Sequence, residues 1–189
     1  GQVLLADEAR NLLGDCYFAM GEIDRGLAAY RSTTRRDARL YDYAQFRIGK
    51  ALKSTEEYEA MRAHFEGFLE ERPDSPRLTE ALSQLAWIFR KDDQPEEARD
   101  LYWNSILKHG NDPEARGVEE MMATLAKYYR GDRTGEYDDM LAKMGDESTR
   151  KNQPTLASRA LWMRAQLKPP GEAESARRLM NRALEVATP

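Results

Sequence analysis

The chain has little of what most catalytic or membrane proteins display. One cysteine in 189 residues rules out an internal disulfide. Cys16, at helical spacing between Leu13 and Tyr17, is expected to be a small core residue. Two histidines, His64 and His109, lie far apart without the spacing of metal ligands. No apolar run approaches the roughly 18 residues of a membrane span. A net charge of −4 argues against general nucleic-acid binding, which runs on clustered Lys and Arg. Eight prolines and twelve glycines fall mostly at expected helix ends, and no stretch has a disordered composition. No G-x-x-x-x-G-K-[ST], G-x-S-x-G or H-E-x-x-H occurs. Carboxylate pairs such as Glu56-Glu57, Glu70-Glu71 and Glu96-Glu97 read as solvated helix faces. A non-catalytic chain without cofactor or metal is therefore expected. With no initiator methionine, it is also expected to be a segment of a longer protein.

Hydrophobic content of 41% is low for a compact core, and 33% charged residues is high. That balance suits an array in which each unit touches only its neighbours. The unit is clearest at 42–75. Ile48, Gly49 and Leu52 share one helical stripe, and Tyr58, Met61, Phe65 and Phe68 share another. Ser54-Thr55-Glu56-Glu57 between them reads as a capped helix start, and Pro73 as a stop. The small residue recurs as Gly14, Gly49, Ala86, Ala126 and Ala160, in steps of 35, 37, 40 and 34. Helices approach closely only where side chains are small, so each small residue must face a large one on its partner, as Gly14 would face Tyr30. A helical glycine costs about 1 kcal/mol against alanine, which that packing must offset.

The periodicity predicts about ten helices and no sheet. Expected extents are 2–20, 24–35, 76–90, 95–109, 115–130, 135–144, 154–167 and 172–187, with two more in 42–75. Gly145 to Gln153 reads as a mobile loop, and Lys168-Pro169-Pro170-Gly171 as a rigid break. Val3, Leu4 and Leu5 look uncovered, which points to a preceding helix or a partner. The last helix carries one apolar stripe, Ala176, Leu179, Met180, Ala183 and Ala187, as suits a helix closing an array.

These residues carry a resemblance to the tetratricopeptide repeat family. Gly49, Leu52, Phe65 and Pro73 match its consensus small, apolar, aromatic and proline positions. Leu13, Gly14, Tyr17, Gly21, Gly26 and Tyr30 match upstream, and Leu82, Leu85, Ala86, Phe89, Ala98 and Tyr102 downstream. Met122, Leu125, Ala126 and Tyr129 keep the first half of a fourth copy, although Asp138 stands where a small residue belongs. Leu156, Ala160 and Met163 with Ala176, Met180 and Ala183 resemble a fifth. Met61 departs from the expected small residue, so the helices of the second repeat are expected to sit farther apart. The resemblance implies an all-α, right-handed solenoid of about five helix-turn-helix units, approximately 7–40, 42–75, 79–112, 119–152 and 153–189, as one domain.

In that family the face beside the packing stripe lines a groove that holds peptides. Here it maps to Asn11, Asp15 and Phe18, then Phe46, Lys50 and Lys53, then Ser83, Trp87 and Arg90, then Ala123, Lys127 and Arg130. A cationic stripe with three aromatics thus runs through an acidic chain. Cations in last helical turns also complement the helix dipole for about 0.3–1 kcal/mol each. Lys50 and Lys127 sit nearer mid-helix, where that account does not reach. Asn11 and Asp15 do not match the clamp that holds chaperone tails. The implied function is a scaffold binding a protein or peptide segment, an acidic one fitting best. A homo-oligomeric assembly role and a regulatory segment of a larger protein are the alternatives. The phrase Tyr41 to Gly49, with Glu71 to Pro76, resembles repeats of bacterial periplasmic proteins of outer-membrane assembly and the Tol-Pal system.

Overall fold

A glycine on one helix and a ring on the next organise the first half of the chain. In the computed structural model, residues 2–115 and 117–187 are described, with side chains from Leu4 onward. Among them are ten α-helices and no strand, and the chain divides into two compact units, Gly1–Asp93 and Gln94–Pro189. Unit 1 holds α1 (Gln2–Ala19), α2 (Ile23–Arg31), α3 (Ala38–Ser54), α4 (Tyr58–Glu71) and α5 (Leu78–Lys91). Each helix packs on the next, and α1 also meets α3. A Cβ at Gly14 would overlap the Tyr30 ring, and one at Gly49 the Phe65 ring. Tyr30, Phe65 and Met61 are fully buried. Gly26 approaches Gly14 so closely that its Cβ would lie 3.2 Å from the Gly14 carbonyl oxygen.

The turns repeat as faithfully as the helices. Gly21, Glu56 and Asp93 all adopt left-handed conformations, with φ of 77°, 61° and 57°, each seven residues beyond the small residue of its repeat. The residue after the turn donates back into the helix, from Glu22 N to Tyr17 O and from Glu57 N to Leu52 O, both 2.9 Å. This is the glycine-type helix ending, tolerated twice without glycine. Ser54 and Thr55 serve this ending and not the start of α4. Ser54 Oγ donates to Ala51 O at 2.7 Å, and α4 begins after Glu57 with no side-chain cap.

The expected second helix stops four residues early, at Arg31, for a polar reason. Thr33 Oγ1 donates to Asn11 Oδ1 at 2.9 Å. Thr34 gives its N–H and hydroxyl to the two oxygens of Asp7, at 3.0 and 2.5 Å. Hydroxyls bonded to a neighbouring helix draw the backbone out of its own ladder. Asp37 then caps α3 by accepting from Leu40 N at 2.9 Å.

Cys16 is exposed, contrary to expectation, because it lies on the side of α1 away from α2 and α3. Leu4 and Leu5 are uncovered, as expected. Val3 lies outside the residues whose side chains are described.

Unit 2 holds α6 (Pro95–His109), α7 (Val118–Tyr128), α8 (Thr134–Arg150), α9 (Pro154–Leu167) and α10 (Ala173–Ala187). The expected mobile loop from Gly145 is instead the end of α8. Tyr137, Leu141, Met144, Gly145 and Ser148 form its buried face, and a Cβ on Gly145 would sit 3.4 Å from that of Ala160. Polar residues had masked a stripe that continues through a glycine. Asp138 lies off this face, where it accepts from Arg164 and Lys168 at 2.8 and 3.0 Å. The expected stripe of α10 is covered only in part: Ala183 is buried, while Met180 and Ala187 are exposed. A 3-10 turn at Pro170–Glu172 follows the proline break and leads into α10.

Candidate interaction face

The first-repeat residues of the expected groove are largely engaged within unit 1. Asn11 is buried, donating to Leu40 O at 3.0 Å and accepting from Thr33. Asp15 accepts from Tyr30 and Tyr43 hydroxyls at 2.7 and 2.6 Å and pairs with Arg47 at 2.9 Å. Burial, then the bond to Asp15, raises the Tyr43 phenol above its ordinary pKa. Phe18 lies under the Arg47 guanidinium, 5.1 Å from ring centre to carbon. A hollow of about 330 Å³ beside them is lined by Glu8, Asn11, Leu12, Asp15, Leu40 and Tyr43. The lining of this hollow offers acids and a tyrosine, not cations.

The character changes along α3 and α5. Phe46 packs 6.1 Å from Phe65 and lies under Arg77 at 5.3 Å, which also covers Tyr43 at 5.1 Å. Lys53 Nζ sits 3.6 Å from the Trp87 ring centre and 3.3 Å from Gln84 Oε1. Tyr58 flanks Trp87 at 5.5 Å, and Lys91 Nζ lies 4.2 Å over Tyr58. Burial, then the charges of Lys50 and Arg90, lowers the Lys53 pKa. Lys50 is exposed one turn away, and Arg90 is exposed and makes contacts of its own. The structure thus brings Lys50, Lys53, Trp87 and Arg90 together in one cationic patch floored by indole and phenol rings.

Lys127 and Arg130 belong to unit 2, where both are exposed. Sequence reasoning missed Arg47, Arg77 and Tyr58, which order the aromatic rings of unit 1. The Tyr43–Arg47 spacing of four was the available signal. It also missed Arg159. That buried guanidinium donates to Gly110 O, Asp112 O and Ala115 O at 2.7, 2.8 and 3.3 Å, and pairs with Glu119 at 2.7 Å. Its clamp holds 110–115 as a loop, and Gly117 at φ 83° closes it, so α7 starts at Val118 and not at Ala115.

Among the described residues no group of three or more His, Cys, Asp or Glu is arranged to hold a metal. No helix among them is long and apolar enough to cross a membrane. Residues 43–75, which span most of α3 and all of α4, match the tetratricopeptide repeat family. No curated protein matches the chain.

Proposed function

We propose that this chain is a non-catalytic interaction scaffold whose α3–α5 face takes an acidic segment of another protein. Tetratricopeptide repeats are in general protein–protein interaction modules, and the family match falls on the hairpin that carries this face. One observation supports the acidic partner. Lys53 rests on Trp87, and the charges of Lys50 and Arg90 act on it. An approaching carboxylate relieves the repulsion that Lys53 feels, and the ring offers a flat apolar surface beside it. Asn11, Asp15 and Phe18 bound the site at its acidic end, while Phe46 extends its aromatic floor. Lys127 and Arg130 are the corresponding cations of unit 2 and are tested separately.

The experiment is a peptide array probed at low and high salt, comparing parent with Lys50→Glu/Lys53→Glu and with Lys127→Glu. Acidic peptides should bind the parent, weaken with salt, and be lost from the double variant with its helical circular dichroism unchanged. Equal binding by parent and double variant refutes the reading. The finer kinship with periplasmic repeats of outer-membrane assembly and the Tol-Pal system rests on the 41–49 and 71–76 phrases. Fractionation of cells expressing the full-length gene tests it.

A further inference from the structure

Another hollow of unit 1 lies between α2 and α4, on a face of α3 that does not carry Lys50 or Lys53. It measures about 770 Å³, within the range of small-molecule sites. Because α2 stops at Arg31, the wall beyond it is not another helical turn but the linker Thr33 to Arg35. Tyr41, Gln45, Ile48 and Leu52 of α3 form the floor, at steps of four, three and four along one stripe. On the other side α4 contributes His64, with Ala60 and Ala63, whose small side chains leave the space open.

The two ends of this space differ in charge. His64 Nε2 lies 2.7 Å from Gln45 O. A carbonyl only accepts, so this nitrogen carries the hydrogen and Nδ1 is left to take up a proton. Burial holds the ring below its ordinary pKa, the bond to Gln45 works the other way, and the charge of Arg31 lowers it again. Arg35 is already engaged, donating from Nε to the Tyr41 hydroxyl at 3.2 Å and pairing with Glu71 at 3.0 Å. Arg31 is exposed and pairs with no acid among the described residues. The remaining charge of the hollow, Glu57, accepts from Thr55 Oγ1 at 2.7 Å. It precedes His64 by seven residues, about 10 Å along α4 at 1.5 Å per residue. Ile48 and Leu52 supply apolar surface over that interval.

We propose that this hollow binds a small organic anion, its carboxylate held between Arg31 and His64 and its apolar body lying over Ile48 and Leu52. Such an anion pairs the cation that lacks an acid, and accepts from His64 Nδ1 once the ring is charged. Its body displaces water from an apolar floor, while Glu57 at the far end repels a second negative group. A monocarboxylate therefore fits and a long dicarboxylate does not. Binding raises the His64 pKa, so affinity increases as pH falls through the imidazole range, below about 6.5.

Titration with octanoate, followed by amide NMR at Ala60 and Ala63, reads the site. Acetate supplies the head alone and octanol the body alone. Octanoate should shift both signals saturably, and each half-ligand should bind about tenfold more weakly or worse. Arg31→Gln should weaken octanoate by about tenfold or more, the loss of one charge-assisted bond. Arg31 is exposed, so circular dichroism of that variant should match the parent. His64→Gln keeps a donor for Gln45 O and should abolish the rise in affinity between about pH 7.5 and 6. Lys50→Glu/Lys53→Glu should leave binding unchanged, which separates this site from the α3–α5 face. The absence of a saturable shift at Ala60 and Ala63 overturns the proposal, as does a half-ligand that binds as tightly as octanoate. So does undiminished binding by Arg31→Gln, a pH dependence that survives His64→Gln, or loss of binding in the lysine variant.

Discussion

Adding one methyl group at Gly49 should destabilise the chain although alanine is the better helix former. The Cβ would approach three atoms of the Phe65 ring, with Cε2 at 2.5 Å and Cε1 at 2.8 Å. Ordinary contact needs roughly another ångström, so the ring must tilt. It is fully buried, with His64 at 5.6 Å and Phe46 at 6.1 Å. Overpacking of this kind costs about 1–3 kcal/mol, while replacing helical glycine by alanine gains about 1 kcal/mol. The net change for Gly49→Ala is therefore a loss of about 0–2 kcal/mol. Gly67, on the exposed side of α4, provides the reference because a Cβ there meets nothing within 4 Å. Gly67→Ala should stabilise by about 0.5–1 kcal/mol. The helix-propensity gain is common to both, so their difference isolates the clash at about 1–3 kcal/mol. Urea unfolding followed by circular dichroism measures it, and Phe65→Leu should restore part of the loss in Gly49→Ala. Equal stability of the two alanine variants would refute the wedge of Phe65 into the glycine notch.

Two further outcomes concern unit 2. Arg159→Met should destabilise by roughly 2–4 kcal/mol, because it leaves three loop carbonyls without their donor. Arg159→Lys should not restore stability, since one ammonium cannot span that fork, and hydrogen exchange should rise first in 110–117. Burial raises the pKa of Asp138, but hydrogen bonds from Arg164 and Lys168 outweigh it and hold the carboxyl below its ordinary range. The folded form thus gains stability that is complete above the unfolded pKa of about 3.9 and lost as pH falls through the lower folded value. Asp138→Asn should flatten the decline of stability below about pH 4; a decline as steep as the parent's would show that the carboxylate does not contribute.

What could be read from the sequence was what repeats. Gly14, Gly49, Tyr30 and Phe65 announced their pairing because small-against-large packing leaves a spacing that survives divergence. Pro154 and Leu167 bounded α9 correctly, since proline at a first helical turn and before a break is unambiguous. The failures share a cause of another kind. Thr33 and Thr34 end α2 by bonding Asn11 and Asp7, more than twenty residues away. Arg159 shapes a loop more than forty residues upstream. Such bonds have no period, so local pattern reads Asp7 or Arg159 as another solvated charge. Cys16 and Gly145 were misread by opposite errors. Cys16 stood on an apolar stripe that nothing in unit 1 covers, and Gly145 on a polar stretch whose inner face is covered by α9.

Net charge is a poor guide to what this surface recognises; the distribution of paired charge is a better one. Arginines across both units are answered by an acid one turn away: Arg25 by Glu22, Arg77 by Glu80, Arg133 by Glu136 and Arg177 by Glu174. Exposed pairs of this sort contribute little to stability, about 0–1 kcal/mol, but each cancels its own field at short range. Lys50 and Lys53 have no such acid among the described residues, and burial and then the charges of Lys50 and Arg90 lower the Lys53 pKa. Its ammonium leans on Trp87, an interaction worth about 0.5–2 kcal/mol, which an incoming carboxylate must compete with or share. The face is therefore electropositive because Lys50 and Lys53 have no acid paired to them among the described residues, not because cations are numerous. An acidic chain can keep such a patch selective, since the negative charge elsewhere repels acidic segments that approach from any other side.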